Sequence, residues 1–290
     1  MLLIILLGLI GLVIDVVLVV AIHSFTSFDL SSFSLFFIVP VGAILIGALA
    51  SLGYYFGVLK ANIKVSKTIQ IIGLIITFVG FVAIQYGFYH TAYIDYNDNL
   101  NFKMEGEHIS NYVIGETEEP VNFISFTKLS VNTRVISFTN RGSKGFEVEG
   151  NKVVNWIFYI IDFVGMLAGS FFTRVFVIGD KKYCDNCRRY LKAKKISMFS
   201  TSNLERIDRM KAIAYANPED ITALLQTDGC SPKGEHYDVY LHRCTSCNNG
   251  YVQLQYMELD SKKNLSVNKE KSIDIQIGAS TAQMINQLAK

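Results

Sequence analysis

An α-helical membrane protein with four transmembrane helices, a small extracytoplasmic β-rich loop domain and a cytoplasmic α+β domain is the fold class predicted by three observations. Half of the 290 residues are hydrophobic and the mean hydropathy is +0.30, more than a soluble core of this size requires. Residues 1–22, 33–57, 68–90 and 153–178 form four stretches that meet the requirement of about 20 mostly apolar residues for crossing roughly 30 Å of hydrocarbon. The polar remainder is split unevenly: all five cysteines fall after residue 183, and none lies between residues 91 and 152. Disulfide stapling of the long loop is therefore not expected.

The expected domains are three helices over 1–90, an extracytoplasmic loop over 91–152, a fourth helix over 153–178 and a cytoplasmic domain over 179–290. Orientation follows from basic residues near span ends. The connection after the second span holds Lys60, Lys64 and Lys67 without an acid, and the fourth span is followed by Lys181, Lys182, Arg188, Arg189, Lys192, Lys194 and Lys195 against Asp180 and Asp185. Both segments read as cytoplasmic. The first connection has Asp29 and no Lys or Arg, and residues 91–152 hold nine acids against six bases, so both face outward. Both termini then lie inside a cell membrane crossed several times. Val19 and Ala21 offer a small-residue cleavage site, but the apolar run is long, lacks a basic flank and contains Asp15; it reads as a retained helix rather than a signal peptide.

In the long loop, residues 121–127, 133–138 and 145–149 have strand character, with turn residues over 140–145. A unit of about 60 residues has a marginal core of its own and is expected to lean on the membrane surface or a partner. Within the spans, Asp15 and Asp162 each cost at least about 2.5–3.5 kcal/mol if ionised in hydrocarbon. Counted from the outer ends their depths match, so they are placed where they could meet, sharing a proton or a cation, with His23 and His90 at the outer ends completing a candidate ionisable cluster. A purely structural role is the preferred reading, a protonated Asp that only stabilises packing. Gly165 and Gly169, and the stripe Ala43, Gly47 and Ser51, permit close helix packing within the chain or between copies. Pro40 is expected to kink the second span.

The strongest chemical signal is Cys184, Cys187, Cys244 and Cys247, two CxxC pairs. A two-residue spacer lets both sulfurs of a pair face one ion, and four soft ligands suit tetrahedral Zn²⁺. Tyr237, Val239 and Leu241 alternate with polar residues before the second pair, and Val252, Leu254 and Tyr256 do so after it, so residues 244–250 read as a hairpin turn. Between the pairs, Ser202 with Glu205 opens one helix carrying Leu204, Ile207, Met210 and Ile213; residues 217–220 open a second carrying Ile221, Leu224 and Leu225, which Gly229 can end. Cys230 is left unassigned, and His242 is a better substitute ligand than His236. The tail offers a strand at 272–277 and a helix with Ala282, Ile285 and Leu288 inward.

The pairs and their flanking strands resemble the cysteine knuckles of the zinc-ribbon superfamily. The resemblance implies a zinc-ribbon-like domain with structural Zn²⁺ on four thiolates, without an open position for catalysis. The whole layout is similar to bacterial multi-pass membrane proteins with a C-terminal CxxC module, a likeness that implies no activity.

The basic run 181–195 is expected to contact anionic lipid headgroups. Nucleic acid is not the expected partner, since residues 180–290 hold 17 bases and 13 acids with the excess beside the membrane. No nucleophile elbow, phosphate loop or HExxH motif is present, so an enzyme is not expected. The expected function is a membrane-anchored binding module, an adaptor, assembly factor or sensor with a protein partner on the cytoplasmic side. The alternative is a small proton- or cation-coupled transporter using Asp15 and Asp162. Gly165 and Gly169 could also serve self-association, but packing within the chain is the preferred reading.

Overall fold

The computed structural model describes residues 2–35, 39–114, 119–140, 143–149, 151–201, 204–213, 218–225, 234–261 and 264–288. Its first unit spans Met1–Ala61 and Val65–Gly179, and its second spans Asn62–Lys64 and Asp180–Lys290.

In the first unit, α1 (Leu2–Thr26), α2 (Val41–Lys60), α3 (Lys67–His90) and, beyond a short helix α4 (Phe123–Asn132), α5 (Lys152–Val177) are formed. All but α4 are long and apolar enough to cross a membrane. Along α1 the buried residues are Ile4, Gly8, Leu12, Asp15, Val19 and His23, a single stripe at helical spacing; Leu6, Leu9, Val13 and Val17 stay exposed as a lipid-facing surface requires. Ser66 caps α3 by accepting from the Ile69 N–H, and Asn151 caps α5 by accepting from the Val153 N–H. Pro40 does not kink the second span; it is the N-cap of α2. A proline has no N–H to give and keeps its predecessor out of helical geometry, so the helix starts behind it and not at residue 33.

α2 packs against α1, α3 and α5. A Cβ at Gly47 would collide with the Met166 carbonyl oxygen, and one at Gly169 with that of Ile44. Close approach lets the Thr173 hydroxyl donate across to the Ala48 carbonyl at 2.9 Å. The glycines of both stripes are thus used inside the chain.

Between α3 and α5, β1 (Tyr93–Ile94) is flanked by β2 (Leu100–Asn101) and β3 (Glu107–His108); β4 (Val113–Ile114) pairs with β5 (Glu119–Pro120), and β6 (Val135–Asn140) with β7 (Ser143–Glu149), all antiparallel. The strand expected at 121–127 is instead the start of α4. Asn122 and Ser125 exchange side-chain and backbone bonds in a capping box, which commits the chain to a helix before its β-branched residues can pair. Ile109, Val121 and Phe126 bury against Phe88, Ala92 and Ile84. The loop leans on the helices beneath it, with which it shares one core.

The second unit is built on an antiparallel sheet in the order β10 (Lys192–Ser200), β11 (His236–Arg243), β12 (Gly250–Leu259) and β13 (Leu265–Ile277), preceded by a hairpin of β8 (Tyr183–Cys184) and β9 (Arg189–Tyr190). Helices α6 (Leu204–Lys211), α7 (Pro218–Leu225) and α8 (Ala279–Leu288) contribute Ile207, Met210, Ile221, Leu224, Ala282 and Ile285 to a core with Val239, Leu241, Val252 and Leu254. β12 alternates strictly between buried and half-buried positions over Gly250–Met257, the period-2 pattern that the sequence shows there. Residues 192–195 of the basic run open the edge strand β10, where lysines suit an unpaired edge. Two expectations are corrected: β13 begins at Leu265, well before residue 272, and Leu288 is exposed. Ser202, Asn217, Gly229 and Cys230 lie outside the described residues.

Candidate metal centre

Each CxxC sits at the tip of a two-strand hairpin. Cys184–Arg189 and Tyr183–Tyr190 are antiparallel partners across the first, and Arg243–Gly250 is the last pair of β11 and β12 before the second. The residue after the second cysteine of each pair is left-handed, Arg188 with φ 49° and Asn248 with φ 62°. This repeated backbone turn aims N–H groups at sulfur. The N–H of Cys187 bonds to Cys184 Sγ, and those of Ser246 and Cys247 bond to Cys244 Sγ.

The four Sγ atoms lie within 4.8 Å of one another, and Cys184 Sγ stands 3.7 Å from Cys247 Sγ. A tetrahedron with Zn–S of about 2.3 Å has sulfurs about 3.8 Å apart. The spacing therefore fits a thiophilic ion and is too long for a disulfide, whose sulfurs are about 2.05 Å apart.

The thiols themselves ask for a cation. At Cys244 burial disfavours the thiolate, but the N–H donors of Cys247 and Ser246 and the neighbouring thiols outweigh it and bring the group down to about 7. Cys187 is pushed up to about 12, first by its hydrogen bond with Cys247 and then by burial; burial also raises Cys184. One negative charge is accommodated and further ones are resisted, which is the condition a divalent ion relieves. Among the described residues no other group of His, Cys, Asp or Glu side chains is close enough to hold a metal. His242 is not a ligand: its Nε2 meets Gln253 Oε1 at 3.1 Å, and burial lowers its pKa. His236 lies 3.2 Å from Asp238.

The first hairpin also holds residues 62–64, a contact without any sequence signal. Tyr183 Oη donates to the Asn62 carbonyl at 2.9 Å, the Tyr190 N–H to Asn62 Oδ1 at 3.2 Å and Tyr190 Oη to the Ile63 carbonyl at 3.0 Å. Lys64 pairs with Asp185 at 2.7 Å. Asn62 is left-handed, φ 53°, a conformation asparagine tolerates better than most residues.

Of the basic run, Lys182 pairs with Asp274 and Lys195 with Asp238 at 2.6 Å, while Arg189 reaches Thr245 at 3.4 Å. Arg188, Lys192 and Lys194 extend from the hairpin and edge strand, and Lys181 precedes them.

In the first unit the two intramembrane carboxylates do not form the expected pair. Asp162 accepts from Arg134 at 2.8 Å, and neither oxygen of the buried Asp15 has a hydrogen-bond partner among the described residues. Arg134 was not singled out by the sequence reading, although a buried carboxylate calls for a counter-ion. It is held by Asn155, whose Nδ2 donates to the Arg134 carbonyl at 3.0 Å, next to Trp156 Nε1 on Asn132 at 3.1 Å. His23 packs between Phe88 and Phe102 with tilted rings, the centroids 4.3 and 4.2 Å away. His90 lies 6.1 Å from His108. The ionisable cluster is thus dispersed into an ion pair, a set of tilted aromatic contacts and a separate buried carboxyl.

The chain matches no family model, no curated protein and no solved structure.

Proposed function

We propose that this chain is an integral protein of the cell membrane, with four spans and both termini cytoplasmic, whose second unit is a zinc-ribbon-like binding module acting as an adaptor, assembly factor or sensor. The observation that carries the reading is the four-cysteine cluster with its 3.7 Å sulfur separation. Zinc is the favoured ion because it accepts four thiolates in a closed tetrahedron. That closed set leaves no position for a substrate, which supports a structural ion and a non-enzymatic role. A strand, β12, follows the second knuckle, as in a ribbon. Within the basic run 181–195, the exposed Arg188 and Lys192 are the residues assigned to anionic headgroups. The modest positive charge of residues 180–290 does not favour nucleic acid, and the partner is a cytoplasmic protein.

The test is elemental analysis of the detergent-purified chain together with identification of co-purifying proteins. One zinc per chain is expected, with both zinc and partner lost in Cys244→Ser. Full zinc occupancy in that variant refutes the ligand set.

A second reading, proton or cation coupling, is favoured only by the buried, unpartnered carboxyl of Asp15, since Arg134 already neutralises Asp162. Asp15→Asn abolishing an ion flux in proteoliposomes supports it; absence of flux in the parent protein excludes it.

A further inference from the structure

We infer that a divalent thiophilic cation at the four cysteines governs whether Asn62–Lys64, the connection between α2 and α3, stays folded with the second unit. This rests on the metal-binding reading above and assigns the site a regulatory consequence.

The geometry is one of dependence. Asn62–Lys64 belongs by its contacts to the second unit although both flanking helices belong to the first. Its bonds come from the hairpin of β8 and β9: two tyrosine hydroxyls, one backbone N–H and Asp185, which lies within the first knuckle. Tyr183 and Tyr190 are register partners whose rings meet edge to face at 5.1 Å, so the grip needs both strands in place at once.

Those strands are two residues each, too short to persist alone. Neither belongs to the four-stranded sheet, and no residue of the hairpin is in the unit's hydrophobic core. What ties its tip to the rest is Cys184 and Cys187 facing Cys244 and Cys247. Beyond the buried Leu191, through which β9 runs on into β10, its side-chain ties include a long Arg189 contact to Thr245, the half-exposed pair of Lys182 with Asp274 and the exposed pair of Lys269 with Asp180 just ahead of β8, none of which fixes the tip. Exposed ion pairs such as Lys64–Asp185 hold little by themselves. An ion bridging the two knuckles turns this marginal hairpin into a fixed grip, and its loss leaves the grip without a backing. The ends of two membrane-crossing helices are joined by the gripped residues, so occupancy of the metal site is communicated to that connection.

Trypsin cleavage after Lys64, identified by fragment mass, reads the grip directly, because cleavage tracks the population of the open segment. In the zinc-loaded, detergent-purified chain this cut is expected to be slow, and after zinc removal by a chelator at least about tenfold faster. A combined Tyr190→Phe and Asn62→Gly variant keeps every cysteine and allows the left-handed backbone. It is expected to retain one zinc per chain and still be cut several-fold faster. That arm separates release of the grip from general unfolding. If zinc binds but chelation leaves cleavage after Lys64 unchanged, or the variant resists as the parent does, the inference is overturned and the metal site stands. If no zinc binds, the metal reading falls and this inference with it.

Discussion

Arg134 and Asp162 show how a single contact can decide the status of an intramembrane carboxylate. Their side chains are 21% and 5% exposed. Removing the arginine alone leaves a buried carboxylate without its counter-ion, whereas replacing both leaves no orphan charge. Arg134→Met is expected to destabilise the first unit by about 3–5 kcal/mol, with most of the loss recovered in Arg134→Met combined with Asp162→Leu; thermal unfolding in detergent reads both. A double variant no more stable than the single would show that the pair is not the source of the effect. At the knuckles, Arg188 adopts φ 49° at a cost of roughly 1–2 kcal/mol for a residue with a Cβ. Arg188→Gly is therefore expected to leave zinc affinity unchanged or slightly improved, and Arg188→Val to weaken it, by competition with a zinc indicator. The sequence marks Asp162 and the four cysteines because residue type alone makes them anomalous where they stand. Arg134 and Asn62 have ordinary types at ordinary positions, and only folding brings them to a carboxylate or a tyrosine.

The elements divide along the same line. A span is defined by length and hydropathy, which are local, so the four long helices are legible and their boundaries shift only where a cap or Pro40 intervenes. Which helix faces which is not local. The stripe Gly47 with Gly169 is consumed by the α2–α5 contact, and Gly47→Val is expected to separate these helices and lower the melting temperature in detergent, while a valine at the exposed Leu45 is expected to be neutral. A dimer abolished by Gly47→Val with unchanged monomer stability would contradict the intramolecular assignment. At the two hairpin tips, metal must displace thiol protons. Cys187 stands near 12 and Cys184 above its ordinary value in the metal-free chain, so both carry protons at neutral pH and release them on binding. Zinc affinity is therefore expected to fall as pH falls and to rise toward alkaline pH. Titration at pH 6, 7 and 8 in buffers of different ionisation enthalpy measures the released protons, and a pH-independent affinity would argue against thiolate ligation. Residues 121–127 read as a strand because Phe123, Ile124, Phe126 and Thr127 suit either structure; the Asn122–Ser125 capping box decides for the helix α4.

At the scale of the whole molecule, the second unit differs from a minimal metal-dependent finger in having a core of its own. Val239, Leu241, Val252 and Leu254 are buried together with residues of α6, α7 and α8 in a cluster that does not include the cysteines. Removing zinc is expected to leave far-ultraviolet circular dichroism and the exchange protection of the Val239 and Leu254 amides largely intact, while the knuckles loosen; collapse of that protection would make the ion a folding requirement for the entire unit. The first unit likewise extends one core from Val19 and Ile46 to Ile109 and Phe126, although Leu100, Met104, Val113 and Ile124 of the segment between α3 and α5 stay exposed.

The sequence by itself determined the four apolar helices, the two CxxC pairs and the alternating strands around the second pair, because hydropathy, ligand spacing and period-2 patterning are properties of neighbouring residues. The tertiary structure alone decided that the four sulfurs converge, that Asp162 meets Arg134 rather than Asp15, and that the first knuckle grips Asn62–Lys64. Those outcomes depend on residues 28 to 128 positions apart, whose meeting is set by how helices and sheet pack and leaves no periodic trace along the chain.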